Sequence, residues 1–84
     1  MNVTLFVSNI CPQAWAVQQI LQDYAVDHLL LNIDEDAAAL TTLRHLQNGQ
    51  QRVPTLILPD ETILIEPSWP VLYQFLNLEP DNWD

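Results

Sequence analysis

The chain has 84 residues, of which 49% are apolar and one is glycine; this length holds one small core, and the composition excludes a disordered or low-complexity chain. Two basic residues, Arg44 and Arg52, stand against eleven acidic ones for a formal charge of -9, so no basic stripe exists to neutralise phosphates, and neither nucleic acid nor a membrane is expected as a partner. A single cysteine excludes an internal disulfide framework.

Val3 to Val7 is short, apolar and rich in β-formers, which predicts a buried first strand ending at Ser8-Asn9. Cys11 follows at once, and Pro12 suits the first turn of a helix because its φ is preset and the N–H it lacks would have no partner there. That helix is expected to run to about Tyr24, with Trp15, Val17, Ile20, Leu21 and Tyr24 inward and the glutamines outward. His28 to Ile33 reads as a second strand, its leucine run predicting burial on both faces as in a parallel sheet. Asp34 or Asp36 can cap a helix from about Ala37 to Gln47, with Ala38, Leu40, Leu43 and Leu46 as its apolar positions. Asn48-Gly49 ends it, since both tolerate the left-handed conformation of a helix C-terminus.

Two strands, Val53 to Leu58 and Thr62 to Glu66, flank the turn-like Pro59-Asp60-Glu61 and predict an antiparallel hairpin. Ser68 can cap a last helix from Trp69 to about Leu78. The order is βαβαββα within a single domain spanning 1–84, of which 79–84 is a polar tail. The acidic groups lie between the apolar runs and read as a solvated surface of an acidic protein. The opening Met1-Asn2-Val3-Thr4 has neither the basic region nor the long apolar run of a secretory signal, so a reducing cytoplasm is the expected location, and a monomer the expected state.

Cys11 carries the chemistry on offer. A thiolate is the nucleophile of thiol–disulfide exchange, and a helix N-terminus favours it through unpaired N–H groups and the positive end of the helix dipole. His28 and His45 have no second His or Cys at ligand spacing, so no metal site is expected and both read as structural or exposed.

Cys11-Pro12 at a strand-to-helix junction, Asn48-Gly49 before Arg52-Val53-Pro54-Thr55, and Glu66-Pro67-Ser68 after the hairpin resemble the glutaredoxin family along nearly the whole chain, most of all its short bacterial and mycoredoxin-like branch. The resemblance implies a thioredoxin-like α/β fold, a four-stranded mixed sheet with the first strand central and helices on both faces. It also implies that Cys11 is the nucleophile, that Pro54 is a cis-proline facing it, and that Val53 offers its backbone to an extended thiol peptide. Ser68 and Arg52 would be carboxylate contacts for a bound thiol. Glutathione or another low-molecular-weight thiol would be co-substrate, with no bound cofactor, and protein mixed disulfides would be the partners.

This chain departs from the family pattern in three ways. The active-site motif reads Cys11-Pro12-Gln13-Ala14, so Ala14 stands where dithiol members keep a resolving cysteine, and a dithiol cycle within one chain is excluded. No lysine precedes the motif, which leaves Arg52 as the expected cation beside the sulfur. Glu66 and Trp69 place an acid and a bulky ring where glutathione-binding members offer small polar groups. The expected activity is monothiol thiol–disulfide exchange on mixed disulfides. The alternatives are a non-enzymatic interaction module that uses a groove between Cys11, Pro54 and Trp69, and an iron–sulfur cluster shared by two Cys11 thiolates in a dimer.

Overall fold

The computed structural model describes residues 2–78, so the polar tail expected at 79–84 lies outside the described residues. The elements in chain order are β1 (Val3–Val7), α1 (Pro12–Asp23), β2 (His28–Asn32), α2 (Ala37–Leu46), β3 (Thr55–Ile57), β4 (Ile63–Ile65) and α3 (Trp69–Leu76). They form the expected βαβαββα order, and the four strands lie in the sheet order β2-β1-β3-β4. β1 pairs parallel with β2 and antiparallel with β3, which in turn pairs antiparallel with β4.

Alternation along β1 divides the core. Val3, Leu5 and Val7 face one side, where Ala14, Val17 and Leu21 of α1 and Leu72 of α3 cover them. Phe6 faces the other side, against Ala39 and Leu43 of α2. Helices therefore lie on both faces, and β1 is interior, as the strand order requires. The Tyr24 and Tyr73 rings, 5.9 Å apart and inclined at 56°, join the end of α1 to α3.

All three helices stop by the same device. Beyond α1, Ala25 takes φ 54° and the Val26 N–H reaches back to the Leu21 carbonyl at 2.8 Å. Asn48 (φ 56°) and Gly49 do the same for α2, with the Gly49 N–H donating to the Arg44 carbonyl at 2.7 Å, and Asn77 (φ 58°) with the Leu78 N–H for α3. Each satisfies a carbonyl that the helix end would leave open.

Several expectations need correction. β2 is an edge strand and is not buried on both faces: Leu29 is 52% exposed, because α2 covers only the part of that face holding Phe6 and Leu31. In α2 it is Ala39, not Ala38, that faces the core. Asp36, not Asp34, caps α2, accepting from the Ala38 and Ala39 N–H groups at 3.0 and 3.2 Å. The hairpin strands are shorter than expected; residues 53 and 54 instead belong to the loop that meets Cys11. Ser68 occupies the N-cap position of α3, but its side chain makes no capping bond.

Candidate active site

The chain leaves β1 through a tight turn, Ser8-Asn9-Ile10-Cys11, closed by the Cys11 N–H donating to the Ser8 carbonyl at 3.2 Å. The Trp15 indole N–H donates to the same carbonyl at 3.0 Å, so the first turn of α1 grips the loop that precedes it. From the other side Asp34 accepts two bonds at one carboxylate oxygen, from the Ser8 hydroxyl at 2.7 Å and from the Asn9 N–H at 2.8 Å. The Asn32 amide donates to the Asn9 side-chain oxygen at 2.7 Å, while the Asn32 oxygen accepts the Asp34 N–H at 2.9 Å. The turn is thus clasped to the segment that follows β2.

Cys11 is the N-cap of α1, with extended φ and ψ of -113° and 96°, and Pro12 is the first helical residue. Its thiol makes no capping bond, in a position where Ser, Thr, Asp or Asn would contribute about 1 kcal/mol. The S–H is directed instead at the Val53 carbonyl, 3.6 Å away, and the residue is partly exposed. Cys11 thus stands at the end of α1 where the first N–H groups lack intrahelical partners and the helix dipole is positive.

The opposing wall is the loop before β3. The Val53-Pro54 peptide bond is cis, as the resemblance implies. The Val53 N–H has no partner among the described residues, and the Pro54 carbonyl accepts the Glu66 N–H at 2.8 Å. Gln47, the residue that caps α2, fixes this loop from beneath. Its amide N–H groups donate to the Arg52 carbonyl at 3.2 Å and the Thr55 hydroxyl at 2.9 Å, and its oxygen accepts the Arg52 N–H at 3.0 Å. The Thr55 hydroxyl in turn donates to the Arg52 carbonyl at 2.7 Å. Gln47 and Thr55 are both buried, and every buried side-chain polar atom among the described residues has a partner.

Between these two loops lies an open cleft of about 540 Å³, with Ile10, Cys11, Asp34, Arg52, Val53 and Glu66 on its walls. Pro12 and Gln13 also reach it. Ile10 is 88% exposed, an apolar side chain standing in solvent directly before the thiol. Among the described residues no three His, Cys, Asp or Glu side chains group as metal ligands, and no helix is long and apolar enough to cross a membrane.

The glutaredoxin family profile matches residues 3–63, a segment that contains both loops of the cleft. The chain belongs to the glutaredoxin family. Comparison with curated proteins gives no significant match. Among solved structures, the crystal structure of the thioredoxin-like protein BC3987 superposes with a TM-score of 0.76 at 20% identity, covering 87% of this chain and 97% of that one. The crystal structure of a mutant of that protein gives 0.78 at 22% identity, covering 90% and 100%. Both likenesses show the thioredoxin-like fold, and family membership supports a glutaredoxin-like redox role in general terms.

The site residues expected in this glutaredoxin are distributed unevenly. Cys11, Pro12, Gln13, Arg52 and Val53 line the cleft. Pro54 is buried behind it, and Ala14 is buried in the core, on the inward side of α1. Ser68 and Trp69, expected on the far wall, are not among the lining residues, and Trp69 is 41% exposed. Glu66 holds the place on that wall. His28 donates locally from Nδ1 to the Val26 carbonyl at 2.8 Å, and His45 is exposed. Sequence reasoning missed Asp34, Asn32, Trp15 and Gln47 as the groups that hold the two loops. A signal for Gln47 existed: the loop from 50 to 54 has no strand partner for its backbone, so a polar side chain nearby had to supply one.

Proposed function

We propose that this protein is a monothiol glutaredoxin-like oxidoreductase that exchanges mixed disulfides with glutathione or another low-molecular-weight thiol. The observation that carries the reading is the Cys11 thiol at the N-terminus of α1, partly exposed on an open cleft and 3.6 Å from the Val53 carbonyl, in a chain with no second cysteine.

In the forward step the Cys11 thiolate attacks one sulfur of a mixed disulfide. The S–S bond breaks, the released thiolate leaves with the electron pair and takes a proton from water, and Cys11 holds the small thiol as a mixed disulfide. A second molecule of the small thiol, as thiolate, then attacks that disulfide, which returns Cys11 and releases a small-molecule disulfide. The client sulfur is reduced to the thiol and one free small thiol is oxidised, joined in the released disulfide to the small thiol that the client first carried. Arg52, on the cleft wall, is suited to a carboxylate of the incoming thiol, and Val53 presents an open N–H to an extended partner beside the sulfur.

The test is uptake of one small thiol by the wild-type chain, followed by mass, and its return to excess free thiol. Cys11→Ser should show neither step. Ala14→Cys should convert the cycle to an internal disulfide, because positions three apart at a helix start share a face. Its side chain would enter a packed site, at a cost of about 1–3 kcal/mol. Equal behaviour of wild type and Cys11→Ser, with the fold intact, would overturn the proposal and leave an interaction module.

A further inference from the structure

Among the described residues the ionisable side chains on the cleft wall besides Cys11 are Asp34, Glu66 and Arg52, two acids against one base. Asp34 is held at the edge of the thiol-bearing turn by its bonds to Ser8 and Asn9, so its charge does not swing away from the site. Glu66 is fixed at its backbone by the bond from its N–H to the Pro54 carbonyl, in the left-handed region at φ 48°. The N-terminus of α3, which would favour an anion, is not on this wall: neither Ser68 nor Trp69 lines the cleft. The whole chain, these groups included, carries a formal charge of -9, and attack requires Cys11 itself as an anion.

We infer that the Cys11 cleft selects small disulfides that carry positive charge, those of aminothiols, over dianionic ones. This rests on the thiol-exchange reading for its biological use, but the selection acts in the first step, capture of half the disulfide by Cys11. In that step the thiolate attacks one sulfur, the S–S bond breaks, and one aminothiol leaves with the electron pair. A diammonium disulfide brings two positive charges toward Asp34 and Glu66, whereas a dicarboxylate brings two negative charges toward them and toward the developing thiolate pair. Arg52 and the positive end of α1 oppose this ordering.

The experiment measures the rate of Cys11 capture by three disulfides on one two-carbon scaffold: cystamine, hydroxyethyl disulfide and dithiodipropionate. Each rate is divided by that of the same disulfide with free mercaptoethanol, which removes intrinsic reactivity. The corrected cation-to-anion ratio is expected at roughly tenfold at ~10 mM salt and within about twofold at ~1 M, where the screening length falls from about 30 to about 3 Å. Glu66→Gln should lower the low-salt ratio more than Asp23→Asn, which removes the same charge from the far end of α1, and Arg52→Gln should raise it. A ratio near or below one at low salt overturns the inference. So does an equal response to Glu66→Gln and Asp23→Asn, since the effect would then belong to net charge and not to the cleft. Capture with this ordering but no return of Cys11 to free thiol would sink the exchange reading and leave the selectivity standing; exchange without the ordering would do the reverse.

Discussion

Replacing Gln47 with Leu should weaken both the fold and the site, and the structure sets the size of the effect. The side chain makes three hydrogen bonds, two to Arg52 backbone groups and one to the Thr55 hydroxyl, from a position 8% exposed. At about 1 ± 0.5 kcal/mol net for each, their sum is roughly 1.5–4.5 kcal/mol. Thr55 keeps its own bond to the Arg52 carbonyl, and Arg52 is exposed enough for water to reach its N–H, so the expected loss lies in the lower half, about 2–3 kcal/mol. Urea denaturation measures it, with the m-value expected to hold because the folded state keeps its extent. Thr55→Val in the same background should cost less than it does alone, since the two side chains share a bond. Alkylation of Cys11 in the folded variant should also change in rate, because the Val53 carbonyl facing the sulfur is carried on the loosened loop. A loss below ~0.5 kcal/mol, with Cys11 reacting as in wild type, would refute the claim that Gln47 fixes that loop.

Three further outcomes are expected. Cys11→Ser should abolish disulfide capture by mass spectrometry yet raise the urea midpoint, since a hydroxyl at this N-cap gains about 0.5–1 kcal/mol that the thiol does not supply; a lower midpoint would contradict the cap assignment. Ala25→Gly should raise the thermal midpoint by the equivalent of about 0.5–1 kcal/mol, because Ala25 takes a left-handed φ of 54° at the end of α1 where glycine carries no Cβ penalty; no change would mean the residue is unstrained. Asp60 is held below the ordinary carboxylate range first by the Thr62 side chain and then by the Thr62 N–H at 3.1 Å. A depressed folded-state value contributes stability that is present above the unfolded value of about 3.9 and lost as pH falls through the folded one. The stability gap between wild type and Asp60→Asn should therefore be open at neutral pH and close in acid, and a gap that widens in acid would reverse the sign.

The element order is legible in the sequence because local and global preferences agree along this chain. Pro12 opens a helix, Asp36 is one of two candidate caps, and Asn48-Gly49 takes the left-handed stop that both residues allow. The stop after α1 is not legible, since Ala25 is a good helix former and takes φ 54° because the Val26 N–H and the packing of Val26 against the core hold it there. The leucine run of β2 has the same composition whether interior or at an edge, and only pairing decides which. Three successive alanines, 37 to 39, present the same signal on every face of α2, so composition does not separate Ala38 from Ala39 as the inward residue. Within the site, Cys11, Val53, Pro54 and Arg52 carry motif information. Asp34 and Gln47 do not, because a polar residue beside a helix end looks solvated until the chain segment it reaches, 25 or more residues away for Asp34, is folded against it.

The two loops of the cleft are both tethered to the flanks of one helix. Asp34, two residues ahead of the α2 cap, holds the turn that carries Cys11, and Gln47, at the other end, holds the loop that carries Val53. No residue of α2 lines the cleft, yet its ten residues, about 15 Å of helix, act as a caliper whose jaws are the thiol and the peptide edge. Deleting or inserting one residue within it would turn one end relative to the other by roughly 100° and displace the jaws without altering any residue that lines the cleft. The reach between nucleophile and docking edge is in this sense a length written into a helix on the opposite face of the sheet from α1, the helix that Cys11 caps.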